Sequence, residues 1–142
     1  MDSIVREMTI LDYEAVTSLW RQTEGIGLSD SDSAPAITAF LERNPGLSCV
    51  AVRSDGMVVG AILCGHDGRR GYLHHLAVSR ECRRRGLARR MVDFCFSRLA
   101  RDGIAKCNLF LFTHNTEGEA FWTHNGWRKR SDLLLLQKPV PA

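Results

Sequence analysis

The sequence predicts an α/β fold in which a central, mixed, mostly antiparallel sheet carries helices on both faces. Short runs rich in β-branched residues alternate with segments of helical periodicity, in the order βααβββαβαβ. Three of the predicted strands follow one another through tight turns, which makes them antiparallel neighbours. The length of 142 residues is enough for one domain with a proper core and too short for two, so we expect a single domain over residues 1–142.

The N-terminal third contains one strand and two helices. Residues 3–8 form a short strand, and residues 9–23 form a helix that Thr9 can cap and whose apolar residues recur at helical spacing. A second helix is predicted at residues 34–44, because Ser33 can cap it and a proline stands in the first turn, where proline is tolerated.

Three consecutive strands follow in the middle of the chain. Residues 47–53 are rich in β-branched side chains and lead into a turn at residues 54–57 with Asp-Gly at its centre, which is typical of a hairpin. Residues 58–67 form the return strand. A second turn at residues 68–71 connects it to the third strand of the run, at residues 72–79.

The remaining elements alternate helix and strand. Residues 86–102 form an amphipathic helix, because an apolar residue recurs at every fourth position. These apolar positions are Leu87, Met91, Cys95 and Leu99. Residues 106–113 are predicted to be an apolar strand in a central, buried position. A short helix at residues 116–125 and a last strand at residues 133–138 complete the predicted order.

Composition excludes several classes of protein. No apolar run approaches the ~18 residues of a membrane span, and the acidic start of the chain does not resemble a secretory signal, so we expect a cytoplasmic protein without a membrane partner. The five cysteines show neither metal-ligand spacing nor a disulfide framework, so no metal site is expected. Most of them are predicted to be small buried hydrophobic residues.

The positive charge is concentrated in one segment. Residues 80–90 contain six arginines and one acid, leaving 13 basic against 15 acidic residues in the rest of the chain from totals of 19 and 16. A nucleic-acid binder is expected to spread its basic residues over a wider footprint. One basic site in an otherwise near-neutral chain favours a small polyanion, and we expect no nucleic-acid partner.

The glycine inside this basic segment indicates how such an anion binds. Gly86 lies between a predicted strand and the start of a predicted helix, where the first N–H groups have no partner within the helix. The helix dipole adds roughly half a positive charge at that point. Because glycine permits close approach of a ligand to the backbone, the segment predicts a phosphate or pyrophosphate site.

Two sequence blocks resemble the GNAT superfamily of acetyl-coenzyme A-dependent N-acetyltransferases. Residues 83–88 match its pattern [QR]-x-x-G-x-[GA], which lies between the fourth strand and the third helix. Residues 115–127 are similar to its second block, with Asn115, Ala120, Gly126 and Trp127 in place. Trp122 stands where the family usually has a tyrosine that protonates the departing thiolate. The resemblance implies the GNAT fold over the whole chain.

The resemblance also implies the binding mode of acetyl-coenzyme A. The strand backbone around Leu76, Ala77 and Val78 is expected to pair with the pantetheine arm, and a strand N–H near Leu76 to bind the thioester oxygen. Backbone amides of the arginine-rich turn would hold the pyrophosphate; they belong to Arg83, Arg84, Arg85, Gly86, Leu87 and Ala88. Asn115 and Trp122 are the further cofactor-binding candidates.

The reaction implied is N-acetylation of a primary amine of a small molecule or peptide, by direct attack in a ternary complex. Strand alternation places Tyr72 and His74 on one face and Leu73 and His75 on the other, although a bulge, usual in this strand, would swap the faces. Tyr72 and His74 are the candidate catalytic residues, ahead of His114.

The acceptor side and two rival functions stay open at this point. Three acids in the loop at residues 24–32, Glu24, Asp30 and Asp32, are expected to attract a cationic amine. Because the usual tyrosine acid is missing, a non-catalytic acyl-coenzyme A-binding regulatory module is the first alternative, and a nucleic-acid binder that uses the arginines is the second. The sequence itself does not indicate the oligomeric state, but a homodimer is a candidate because many members of the family are dimers.

Overall fold

The computed structural model describes residues 2–142, which divide into two parts, residues 2–110 and residues 111–142. The first part contains strands β1 (Ser3–Glu7), β2 (Cys49–Arg53), β3 (Val58–His66), β4 (Gly71–Val78) and β5 (Cys107–Leu109), and helices α1 (Tyr13–Arg21), α2 (Ala34–Arg43) and α3 (Leu87–Arg101). The second part contains helix α4 (Thr116–His124). Within residues 2–142, no helix combines the length and the apolar character needed to cross a membrane.

The five strands form one sheet in the order β1-β2-β3-β4-β5. Strands β1 to β4 are antiparallel neighbours, and β5 pairs with β4 in parallel. The predicted mixed, mostly antiparallel sheet is therefore confirmed. The hairpin turn with Asp-Gly at its centre is also present, because the backbone N–H of Arg53 donates to the carbonyl of Met57 across it, at 2.8 Å.

Helices cover both faces of this sheet, as predicted. On one face, Val16 and Trp20 of α1 pack with Val50 and Leu63 in a single buried cluster. On the other face, α3 packs closely against the sheet. A Cβ added to Gly60 of β3 would lie only 2.8 Å from the Met91 side chain of α3. The apolar residues spaced every fourth position along α3 are all buried: Leu87, Met91, Cys95 and Leu99. All five cysteines are unpaired and four are buried, which agrees with their predicted role in the core.

A β-bulge interrupts the pairing of β3 with β4. Leu63 pairs with His74 and Ala61 pairs with Ala77, so that two residues of β4 stand opposite one residue of β3. His75 is one of the two, and its φ of 57° lies in the left-handed region. The extra residue reverses the side-chain alternation along this part of β4.

The predictions for the end of the sheet were wrong. Strand β5 covers only Cys107–Leu109 and lies at the edge of the sheet, whereas a longer, central strand over residues 106–113 was expected. Residues 133–138 form no strand, and their four leucines are 61% to 89% exposed. An apolar run indicates a tendency to form a strand, but the strand also needs a neighbouring backbone to pair with, which composition does not reveal.

Candidate active site

The turn after β4 brings the predicted anion-binding residues together. Its first residues form a short 3-10 turn, Arg80–Cys82, which is anchored by the buried Cys82. The Arg83 guanidinium then reaches back, and its Nε donates to the carbonyl of Val78 at 3.0 Å. Arg84 and Gly86 both have positive φ, 66° and 76°. Two left-handed residues this close together turn the chain sharply, and backbone N–H groups in turns of this kind can converge on an anion.

Helix α3 starts directly after this turn. Gly86 is its N-cap and contributes no side-chain hydrogen bond, so the first N–H groups of the helix are not capped by that residue. A Cβ placed on Gly86 would meet no atom within 4 Å, so the space beside the backbone is open. The open backbone, the helix dipole and the arginine charges fit a pyrophosphate group.

The adjoining part of β4 has an open edge. The pairing with β5 ends at Leu73 and Leu109, while β4 continues to Val78. Within residues 2–142, Ala77 and Val78 therefore have a strand partner on the β3 side only, and Leu76, which lies in the bulge, has no partner on the β5 side either. An extended amide chain such as pantetheine can use the backbone groups on the other side.

A cavity of about 250 Å³ lies on the face of the sheet that carries α1 and α2. Its walls come from the loop between these helices, from α2 and from the middle of the sheet. The lining residues are Gly27, Ser29, Ser31, Asp32, Ile37, Phe40, Leu63, His74 and His75. The predicted loop wall and one of the two predicted catalytic residues thus line the same cavity.

Tyr72 and His74 share a face, as predicted. Their rings are stacked, with centroids 6.4 Å apart and planes within 7° of parallel. The His74 ring also meets Phe40 edge-on at 6.1 Å, and Tyr72 stacks on Phe110 at 6.1 Å. Burial lowers the pKa of His74, and the nearby His75 lowers it further, while Asp32 opposes the shift. Phe40 and His74 of this row of rings line the cavity and give it an aromatic wall with a neutral imidazole in it, while Tyr72 and Phe110 continue the row beyond the cavity.

His75 lies on this face too, so its predicted position on the opposite face was wrong. The bulge turns it toward α1, where its ring meets Trp20 edge-on at 4.9 Å. Its Nε2 lies 3.0 Å from Oδ1 of Asp32. Sequence reasoning missed this pair because Asp32 comes from a loop 43 positions earlier in the chain. The signal in the sequence that could have indicated the position of His75 was the bulge that is usual in this strand of the family.

Two of the three loop acids have partners within the protein. Asp32 is 8% exposed and contacts His75, and Glu24 forms ion pairs with Arg80 and with Arg83. Only Asp30 of the three is exposed without such a pair within residues 2–142. The expected attraction of a cationic amine by three acids is thus reduced, because Glu24 and Asp32 are already paired with other side chains of the protein.

The remaining predicted site residues lie in the second part of the chain. Asn115 caps α4, since its Oδ1 accepts a hydrogen bond from the Gly118 N–H at 2.9 Å. Trp122 is buried and its ring meets the Trp127 ring edge-on at 5.0 Å. His114 is exposed and stacks on Phe112 at 5.5 Å.

Comparison with known proteins decides the family. The model of the Acetyltransferase (GNAT) family matches residues 13–127. The chain belongs to the GNAT acetyltransferase family. An acetyltransferase of Sodalis glossinidius is 30% identical over 127 residues, which cover 89% of this chain and 88% of the relative. An acetyltransferase of Pectobacterium atrosepticum is 31% identical over 104 residues, covering 73% of this chain and 72% of the relative.

Solved structures of GNAT proteins confirm the fold. The PaiA N-acetyltransferase of Thermoplasma acidophilum, in complex with coenzyme A, has a TM-score of 0.75 at 18% identity and covers 90% of this chain and 91% of its own. A predicted acetyltransferase of Clostridium acetobutylicum, with acetyl-coenzyme A, has a TM-score of 0.74 at 18% identity and covers 96% of both chains. This GNAT protein is an acyltransferase.

Proposed function

We propose that this GNAT protein transfers the acetyl group of acetyl-coenzyme A to a primary amine of a small molecule or peptide, by direct attack in a ternary complex. One observation carries the proposal. The cavity with its imidazoles borders β4 where that strand loses its pairing with β5. A thioester lying along the open edge of β4 would therefore be within reach of an amine in the cavity.

Acetyl-coenzyme A is proposed to bind along β4 and the arginine-rich turn. Leu76, Ala77 and Val78 would pair with the pantetheine arm, and an N–H near Leu76 would bind the thioester oxygen. The pyrophosphate would rest on the backbone of residues 83–88, which the two positive φ angles and the open space at Gly86 support. Asn115 and Trp122 are assigned to the coenzyme by their motif.

The chemistry requires the amine to lose its charge. A lysine-like amine has a pKa near 10.4, about 3.4 units above neutral pH, so its reactive form costs about 4.6 kcal/mol. Tyr72 and His74 are proposed to contact the amine, because His74 lines the cavity and the Tyr72 ring is stacked beside it on the same face of β4. A nearby imidazole suits proton transfer at neutral pH.

The organisation of the molecule is part of the proposal. The family match spans both parts of the chain, which supports one N-acetyltransferase domain over residues 1–142. Five unpaired cysteines support a reducing, cytoplasmic environment. A homodimer stays a prediction that light scattering can test.

The test is release of coenzyme A thiol from acetyl-coenzyme A in the presence of a panel of primary amines, including polyamines, aminoglycosides, amino acids and peptides. At least one amine should accelerate thiol release well above the rate without amine. Initial-rate lines at crossed substrate concentrations should intersect. Parallel lines would indicate a covalent acetyl-enzyme instead of a ternary complex, and no acceleration by any amine would contradict the proposed function.

A further inference from the structure

We propose that His75, positioned by Asp32, accepts the proton that leaves the acceptor amine. This inference rests on the proposed function and names the proton acceptor of that same site. Both residues line the cavity, and neither was a candidate catalytic residue from the sequence.

Asp32 is held so that it can fix the His75 ring. Its Oδ2 accepts the backbone N–H of Ser29 at 3.0 Å, and its Oδ1 lies 3.0 Å from Nε2 of His75. The Tyr13 hydroxyl donates to its backbone carbonyl at 2.7 Å, which ties the loop to α1. A carboxylate oxygen can only accept, so the Nε2 of His75 carries the hydrogen. The lone pair of the neutral ring is then on Nδ1.

The backbone of His75 is held as firmly as its side chain. Its carbonyl accepts the indole N–H of Trp20 at 2.8 Å, and Trp20 is fully buried. The φ of 57° is uncommon for a residue other than glycine and persists where the surroundings enforce it. The loop, the bulge and α1 together place one imidazole at the cavity in one tautomer.

The two other histidines of this sheet region differ from His75. His74 is held by ring contacts alone, and within residues 2–142 no group forms a hydrogen bond with its ring. His66 at the end of β3 also has a carboxylate partner, Asp102, at 3.2 Å, but it does not line the cavity. Of these three described histidines, His75 alone combines an orienting carboxylate with a place in the cavity wall.

The step balances without a further reactant. The ammonium form of the acceptor first loses one proton to solvent. The neutral amine nitrogen then forms a bond to the thioester carbon, and the bond between that carbon and sulfur breaks. The proton from nitrogen goes to Nδ1 of His75, and the electron pair of the broken bond leaves with sulfur as thiolate, which solvent protonates. His75 then returns its proton to solvent. Asp32 stabilises the imidazolium and keeps its own charge throughout, as in carboxylate–histidine pairs of hydrolases.

The experiment compares three variants at the accepted amine. His75→Asn tolerates the left-handed backbone but has no basic ring. His75→Gly also accepts positive φ and leaves room for added imidazole. Asp32→Asn can still accept from Ser29 through oxygen, but its NH₂ group donates to Nε2 and forces the hydrogen onto Nδ1. The matched control is His66→Asn, which breaks the histidine–carboxylate pair outside the cavity.

We expect each of the three variants to lower kcat by about 10²- to 10⁴-fold, with little change in the thermal shift produced by acetyl-coenzyme A. Added imidazole should restore part of the rate of His75→Gly and should leave the rate of the control, His66→Asn, unchanged. Nitrogen NMR should show the hydrogen of His75 on Nε2 in the parent and on Nδ1 in Asp32→Asn. This tautomer change separates positioning by Asp32 from a merely structural role.

Three results would overturn the inference. The first is turnover of the His75 variants within a few-fold of His66→Asn. The second is a loss of turnover in His75→Gly that imidazole does not restore and that is accompanied by loss of the thermal shift with acetyl-coenzyme A. This combination would indicate a structural role for His75. The third is a parent protein that is inert with every amine. This result overturns the proposed function itself, and it is seen in the parent without any variant.

Discussion

The His74 imidazole is half-buried in the aromatic wall, and this partial burial links the stability of the fold to pH. Burial lowers its pKa, so the folded protein binds this proton less readily than the unfolded chain. The stability due to His74 is therefore complete above the unfolded pKa of about 6.5 and is lost as the pH falls through the lower folded value. We expect the melting temperature of the parent to fall more than that of His74→Gln between about pH 7.5 and about pH 5.5. Equal changes in the two proteins would contradict the burial of a neutral ring.

Tyr72 and His74 should affect turnover more than cofactor binding. Their rings face the cavity side of β4, whereas the cofactor is proposed to use the strand's backbone. Tyr72→Phe and His74→Ala should lower kcat by up to about 10²-fold through misplacement of the amine, with the dissociation constant of acetyl-coenzyme A nearly unchanged. Steady-state kinetics and calorimetric titration check this. Unchanged turnover in both variants, with a confirmed acceptor, would exclude these side chains from the reaction.

Trp122 cannot serve as the acid that a tyrosine provides in many GNAT enzymes. Its indole N–H is a donor without useful acidity. A thiol with a pKa near 8.5 leaves as thiolate at a cost of about 2 kcal/mol at neutral pH, less than the roughly 4.6 kcal/mol for the amine. Deprotonation of the amine should therefore limit the rate.

Trp122→Tyr should then change the rate little, and the parent rate should rise from about pH 6 to about pH 9 without a falling limb due to a tyrosine. A pH–rate profile of both proteins with one accepted amine measures this. The burial of Trp122 against Trp127 fits a packing or thiolate-orienting role. A parent inert at every pH but rescued about 10²-fold by the tyrosine would contradict it.

Among the individual residues, the shared face of Tyr72 and His74 could be predicted from the sequence, since alternation is a local property of a strand. The position of His75 could not be predicted in the same way. A bulge is defined by the register between β3 and β4, and two adjacent histidines carry no information about that register. Asp32 was noticed for its charge, but its partner depends on how the loop folds onto the sheet.

Among the elements, the turn from β4 into α3 carries the most specific sequence signal. Gly86→Val should remove most of the thermal stabilisation by acetyl-coenzyme A, because valine disfavours the φ of 76° and adds a branched side chain where the phosphates are proposed to lie. Differential scanning fluorimetry with and without acetyl-coenzyme A measures the effect.

Gly103→Val is the matched control for this variant. Gly103 lies at the other end of α3 and has a similar φ of 81°. A Cβ added to Gly103 would also meet no atom within 4 Å, so the substitution introduces comparable strain. Its acetyl-coenzyme A shift should equal that of the parent. If both variants lose the shift, the loss at Gly86 reflects general strain and the phosphate site is not supported.

Helices α2 and α3 followed from local signals, namely a serine cap in the first case and a four-residue apolar period in the second. The end of the sheet did not follow from such signals. Residues 106–113 and 133–138 are both apolar, yet only Cys107–Leu109 has a strand partner. Sheet order is a property of chain topology, and apolar composition alone does not determine it.

For the whole molecule, the distribution of charge is consistent with the proposed binding of the two substrates at separate places. The arginines cluster at the turn proposed to hold the pyrophosphate, and the acceptor cavity has one carboxylate, Asp32, already engaged by His75. Two substrates of different charge would therefore meet the protein at different places, one at the basic turn and one at the aromatic cavity.

The central claim is that acetyl passes directly from acetyl-coenzyme A to an amine bound in that cavity. The most direct measurement follows both products in one reaction, coenzyme A by its thiol and the acetylated amine by mass spectrometry. We expect the two to form in equal amounts, only with acceptor present, and to decrease together in His75→Asn. Thiol release that is independent of amine, or that occurs without an acetylated amine, would contradict the account.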